Sequence, residues 1–177
     1  NKDKTKIYEY VMQFLQTHER IINIPEMDKE KCFEKMNSER IGTTRAALKV
    51  QDGCNNFCSY CIIPYLRGKY RSRQMDDVLY EARLLAENGV KELIVVAQDT
   101  SRYGIDLPGH KHRLAELLQE LCKIEGLRWI RIHYLYPDEI DDELIDTIAS
   151  EPKIVKYLDI PIQHCNDKVL KLMNRRG

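Results

Sequence analysis

From Arg45 onward, apolar and polar positions switch between two periods in a repeating order. "AALKV" predicts a short first strand that runs out at Asp52-Gly53. "DDVLYEARLLAENG" opens with two acids suited to a helix N-terminus. It places Val78, Leu79, Ala82, Leu85 and Ala86 on one face, and Asn88-Gly89 stops it. "ELIVVA" is a near-continuous apolar run, which predicts a parallel strand covered on both faces. "RLAELLQELCKI" predicts a second helix with Leu114, Leu117, Leu118 and Leu121 buried and Cys122 near that face. "RWIRIHYLY" reads as a third strand. Pro137-Asp138 then caps a third helix whose apolar face is Ile140, Leu144, Ile145 and Ile148. "VKYLDIPI" is a fourth strand, and "NDKVLKLMNRR" opens a fourth helix.

Strand and helix alternating at this spacing imply an α/β fold with a parallel sheet and right-handed crossovers. Four such units in about 130 residues make half of a (β/α) barrel, which needs roughly 250 residues. An open doubly wound sheet is the competing arrangement. In either, the site belongs at the C-terminal ends of the strands. Residues 1–44 differ: they are polar, with a helical spacing of Ile7, Val11, Phe14 and Leu15, then Pro25 and the charge-rich "EMDKEKCFEKMNSER". We read 1–44 as the tail of a preceding domain plus a linker, and 45–177 as a partial core domain. A start at Asn1 and an ending "KLMNRRG" within a helical pattern suggest a piece of a longer chain.

Composition narrows the class. Of 177 residues, 43% are apolar and 32% charged, which fits a globular chain, and the formal net charge of zero offers no global pull toward nucleic acid or an anionic membrane. No apolar run approaches the roughly 18 residues of a spanning helix. The charged start "NKDKTKIYEY" lacks the apolar core of a signal peptide. A cytoplasmic location is expected, where thiols stay reduced.

Half of the six cysteines then become conspicuous. "VQDGCNNFCSYCIIPYLRGKYRSR" holds Cys54, Cys58 and Cys61 at offsets of four and three, just past the first strand. Those offsets could form a buried helical stripe. Asp52-Gly53 and Asn55-Asn56 instead favour turns, and a turn can bring three thiolates to one place. Structural zinc wants four ligands. No fourth cysteine is near, and His110, His112, His133 and His164 are distant in sequence. A four-iron four-sulfur (4Fe-4S) cluster can use three thiolates and leave one iron open.

CxxxCxxC at Cys54, Cys58 and Cys61, with Tyr60 before the third cysteine, resembles the radical S-adenosylmethionine (SAM) enzymes. "GKYRSR", "AQDTSRYG", "HYLYPDEI" and "DIPIQHCNDKVLKLMNRR" further resemble the methylthiotransferase branch, and within it the RimO-type enzymes. The resemblance is dense over 45–177 and slight over 1–44. It implies a partial, truncated TIM-like radical SAM barrel of about four parallel strands with outer helices. It also implies a 4Fe-4S cluster on Cys54, Cys58 and Cys61, whose free iron takes the amino and carboxylate groups of SAM, and cleavage of SAM to a 5′-deoxyadenosyl radical. Tyr60 is expected near the adenine, Gln98 and Asp99 at the SAM amino group, and Gln163 in the same pocket. Phe57, Tyr60, Ile62 and Ile63 are expected to cover the thiolates. The implied reaction adds a methylthio group to the β-carbon of an aspartate in ribosomal small-subunit protein twelve, with an external electron donor. A second 4Fe-4S cluster belongs to an N-terminal domain and a β-rich domain follows the core, so 177 residues alone are expected not to complete the reaction. The alternatives are the sibling enzyme acting on adenosine in transfer RNA, and a non-enzymatic zinc module using the three thiolates and a histidine.

Other features carry less. Arg67, Lys69, Arg71 and Arg73 form a basic run that suits a solvated face, the SAM carboxylate, an acidic substrate loop or RNA phosphates, so it does not discriminate between substrates. Arg102 and Tyr103 open a loop through "IDLPGHKH" of the kind that covers substrates, with His110 and His112 at weak metal spacing. His164 receives no proton-transfer role. Cys32, Cys122 and Cys165 are scattered, and Cys122 is expected in the core.

Overall fold

A computed structural model describes residues 4–24 and 43–175 of the chain. Near the N-terminus, α1 (Ile7–Thr17) follows the predicted spacing. Cys32, Pro25 and the charge-rich linker lie outside the described residues.

The predicted alternation is present. β1 (Arg45–Lys49) leads through the short β2 (Gln51–Asp52) and α2 (Ile63–Arg67) to β3 (Arg71–Ser72), which returns antiparallel to β2. Then come α3 (Met75–Glu87), β4 (Glu92–Val96), α4 (Leu114–Cys122), β5 (Trp129–Ile132), α5 (Asp142–Ser150), β6 (Ile154–Leu158) and α6 (Asp167–Leu172). The main sheet is parallel with order β1-β4-β5-β6, so each new strand is added beside the last.

Register explains which face the helices cover. Ala46, Leu93 and Ile130 stand side by side, as do Leu48, Val95 and Ile132. All six are buried in one core with Val78, Leu85, Leu117, Leu121, Leu144 and Ile148 of α3, α4 and α5. The helices therefore lie on one face. A doubly wound sheet would place helices on both, so this is the barrel arrangement. Removing each fully buried leucine side chain from water stabilises by roughly 1.5–3 kcal/mol, and four of α4's leucines are fully buried.

Two predictions need correction. "ELIVVA" is covered on one face only: Leu93 and Val95 are buried, while Ile94 and Val96, on the face away from the helices, are half-buried. That face is tied at its start by Glu92, which accepts from Arg45 Nε (2.7 Å) and Arg131 Nε (2.8 Å). Pro137-Asp138 does not cap α5. It forms a separate 3-10 turn, and Asp141 is the cap, its Oδ1 accepting from Leu144 N (2.9 Å). An aspartate just before the first turn is a better acceptor of the free amides than one several residues upstream. Ile145 is not on the buried face, which is Leu144, Thr147 and Ile148; it stands 49% exposed.

No helix among the described residues is long and apolar enough to cross a membrane.

Candidate functional site

The cysteines lie on the connection between β2 and α2, at the C-terminal end of β1. Gly53 starts it at φ +80°, and its amide donates to Gln98 Oε1 (2.8 Å) at the end of β4. A Cβ there would stand 2.6 Å from Gly68 O and 2.7 Å from the Lys69 carbonyl carbon, so the close approach itself requires glycine. Cys54 N donates to Gly68 O (3.2 Å), and Cys61 N to Cys58 O (2.9 Å). Phe57 adopts φ +46° between them. Cys54 to Cys61 thus form bends rather than a helical stripe, as the Asn-rich composition predicted. α2 begins only afterwards, with Pro64 in its first turn.

Side chains then fasten the loop. Asn55 Oδ1 accepts from Tyr70 N (3.2 Å). Asn56 Nδ2 donates to Asp99 Oδ2 (3.1 Å), and Ser101 Oγ donates to Asp99 Oδ1 (2.6 Å). Burial pushes the Asp99 carboxyl above its usual range, against the Ser101 and Asn56 hydrogen bonds and the Arg102 charge.

All three thiols are free and half-buried. Burial raises the pKa of Cys54; a hydrogen bond from the Asn56 amide opposes this, and the charges of Asp99, Cys58 and Cys61 add to the rise. Burial and the neighbouring Cys58 likewise raise the Tyr60 phenol, opposed by the charge of Arg175.

The donor set, three soft thiolates on one loop, is of the kind an iron–sulfur cluster takes with one iron left open. Around one zinc, sulfurs stand about 3.8 Å apart, from a Zn–S distance of about 2.3 Å in a tetrahedron. Among the described residues, no three His, Cys, Asp or Glu side chains are placed to hold one metal ion. Ligands of a cluster attach to different irons and stand farther apart, which three soft thiolates on one loop can satisfy.

The other predicted residues divide. Gln98 and Asp99 both reach the cysteine loop, but through Gly53 and Asn56. Gln163, at φ +68° after β6, is exposed and does not line the nearby cleft. His164 Nδ1 accepts from Asn166 N (2.9 Å) beside the start of α6, a local turn. Phe57, Tyr60 and Ile62 do not form a closed cover: they are 46%, 53% and 58% exposed, because no described segment packs over the outer side of the loop.

The basic run, whose role the sequence leaves open, is mostly turned inward. Asp52 Oδ1 receives Lys49 Nζ (2.6 Å) and Arg67 Nη1 (3.0 Å), and its Oδ2 receives Arg71 Nη2 (3.2 Å). Arg73 pairs with Glu81 (2.5 Å), both nearly buried. Burial disfavours the charged form of Asp52, but Lys49 and Arg67 outweigh it and hold the carboxyl below the usual range. Three arginines of the run are thus internal braces, and of the four only Lys69 is exposed. The loop after Arg102 also turns inward. Tyr103 is fully buried and donates to Arg73 O (2.9 Å); His112 faces Glu139 (3.4 Å), whereas His110 bonds Ile105 O (3.0 Å).

Sequence reasoning missed the far wall. A cleft of about 410 Å³ lies beside the cysteine loop, lined by Asn56, Phe57, Arg102, Tyr136, Lys171 and Asn174 among others. Arg102 pairs with Asp99 (3.4 Å) and with Glu139. The one available signal was "MNRR", whose asparagine just past a helix suits a left-handed turn.

Known proteins share the sequence and the fold of this chain. The chain is 55% identical to ribosomal protein uS12 methylthiotransferase RimO of Acetivibrio thermocellus over 161 residues, covering 85% of this chain and 35% of that protein. It is 50% identical to the RimO of Clostridium botulinum over 177 residues, covering 98% and 39%. The chain therefore spans a little over a third of these curated relatives. A solved radical SAM methyltransferase, TsrM from Kitasatospora setae with cobalamin and a [4Fe-4S] cluster bound, superimposes with a TM-score of 0.58 at 18% identity, covering 75% of this chain and 27% of that one; this likeness concerns the fold. Residues 48–177 match the Radical SAM superfamily, and the chain belongs to it.

Proposed function

We propose that this chain forms the cofactor-holding part of a radical SAM methylthiotransferase that modifies an aspartate β-carbon of ribosomal protein uS12. The observation that carries the reading is three free thiols on one bent loop at the C-terminal end of a parallel sheet. Relatives named as uS12 methylthiotransferases support the substrate. Cys54, Cys58 and Cys61 would hold a 4Fe-4S cluster. When bound, such a cluster with one open iron supplies the electron that cleaves SAM, chemistry no side chain can provide. Asp99 offers the carboxylate an ammonium group needs, already steadied by Asn56 and Ser101. Gln98 sets the entry of the loop through Gly53. Tyr60 supplies an aromatic face beside Cys58 suited to stacking on a base. An external donor supplies the electron. The reaction as a whole is expected to need the remaining two-thirds of the longer protein, a second cluster included.

Anaerobic reconstitution tests this. The chain should take up about four irons and four sulfides, turn brown, and change its reduced-state EPR spectrum on adding SAM. Replacing Cys54, Cys58 or Cys61 by serine should abolish uptake. A colourless chain holding one zinc through four protein ligands would sink the proposal. With the full-length protein, a uS12 peptide rather than transfer RNA should accept the methylthio group.

A further inference from the structure

The far end of the described chain grips one particular cysteine. Ser59 N donates to Met173 O (2.9 Å), and Asn174 Nδ2 donates to Phe57 O (2.9 Å). Cys58 lies between these two contacts. The other thiols hang from other elements: Cys54 from Gly68 O and, through Gly53, from Gln98; Cys61 from its own turn onto Cys58 O. Only Cys58 has both flanking peptides tied to the end of α6.

Asn174 is built for this task. It follows the last residues of α6 at φ +50°, donating its backbone N–H to Lys171 O (3.1 Å), while Arg175 N donates to Leu170 O (2.9 Å). Glycine is the usual residue at such a left-handed helix end, and asparagine the next choice. Only asparagine adds an amide that can reach across. Its target, Phe57 O, belongs to a residue at φ +46°, a conformation that an aromatic side chain keeps only where its surroundings hold it. Arg175 anchors the end from the other side. Its guanidinium stacks on the Tyr136 ring at 4.4 Å and donates to Pro161 O.

We propose that Asn174 is a positioning residue that sets where the Cys58 thiol stands relative to Cys54 and Cys61. The α6 end thereby tunes how firmly the loop retains its cluster. The inference rests on the cluster reading above, and its test separates the two. Asn174→Gly keeps the left-handed turn and removes only the side-chain amide; Asn174→Asp keeps the size and removes the donor. In the metal-free chain, hydrogen exchange of the Ser59 amide should accelerate about three- to tenfold in both variants, the range expected for losing one neutral hydrogen bond. Exchange of the Val95 amide in β4 should not change. In the reconstituted chain, both variants should lose iron to a chelator several-fold faster and shift the reduced-cluster EPR spectrum, with melting temperature unchanged for Asn174→Gly. Unchanged Ser59 exchange with an unchanged cluster lifetime would overturn the proposal. So would equal acceleration at Val95, which would mark a merely structural role. If the parent chain takes up no cluster while Ser59 exchange still accelerates, the clamp stands and the cluster reading falls.

Discussion

Asp52→Asn should be among the most destabilising single changes near the loop, although Asp52 binds nothing itself. The Asp52 side chain is 8% exposed, and its carboxylate receives Lys49, Arg67 and Arg71 at 2.6, 3.0 and 3.2 Å. Lys49 and Arg67 keep about a third of their side chains in water and can be rehydrated. Arg71 cannot. At 6% side-chain exposure it would be left a buried cation, retaining only its bonds to Arg67 O and Lys69 O (3.0 and 2.8 Å). Breaking a buried pair from one side costs about 3–5 kcal/mol, and asparagine's surviving carbonyl lowers this to about 2–4 kcal/mol. At roughly 2–4 °C per kcal/mol for a chain of this size, the melting temperature should fall by about 4–16 °C. Thermal and urea unfolding of the wild type, Asp52→Asn, Arg71→Met and the double variant measure it. Because the penalty is an orphaned charge, Asp52→Asn should cost clearly less in the Arg71→Met background. A loss below about 1 kcal/mol, or one of equal size in both backgrounds, would refute the reasoning.

Gly53→Ala should disrupt the cysteine loop, since its Cβ meets the Gly68 and Lys69 carbonyls and its φ of +80° disfavours any side chain; iron uptake should drop even where far-ultraviolet circular dichroism is native. Burial opposes ionisation of Glu92, but Arg131 and Arg45 hold its carboxyl below the usual range. Its contribution is therefore full above about pH 4.5 and is lost as pH falls through the lower folded value. Between pH 6 and 3, Glu92→Gln should lose less stability than the wild type by urea titration; parallel curves would contradict this. Burial, with Glu151 nearby, pushes the Cys122 thiol up to about 11. About one in a thousand Cys122 side chains is then thiolate at pH 8, and in the metal-free chain mass spectrometry should find Cys165 alkylated by iodoacetamide well before Cys122.

The order of strands and helices was legible in the chain because each element carries its own period. Val78, Leu79, Ala82 and Leu85, or Leu114, Leu117, Leu118 and Leu121, repeat every three to four residues whatever they pack against. The three cysteines were legible for a related reason: their spacing and the turn-forming Asp52-Gly53 and Asn55-Asn56 lie within ten residues. Tertiary structure alone decided the rest. Whether helices cover one face of the sheet or two depends on crossover geometry, which local periodicity does not encode, so Ile94 and Val96 were misjudged. The destiny of Arg67, Arg71 and Arg73 depends on which carboxylates the fold carries to them. Asp52 and Glu81 sit close by in sequence, yet charge patterning could not tell a brace from a solvated face. The grip of Asn174 on Phe57 joins residues 117 positions apart. A contact of that range leaves no period in the chain; it exists only because the last described helix folds back over the loop that follows the first strand.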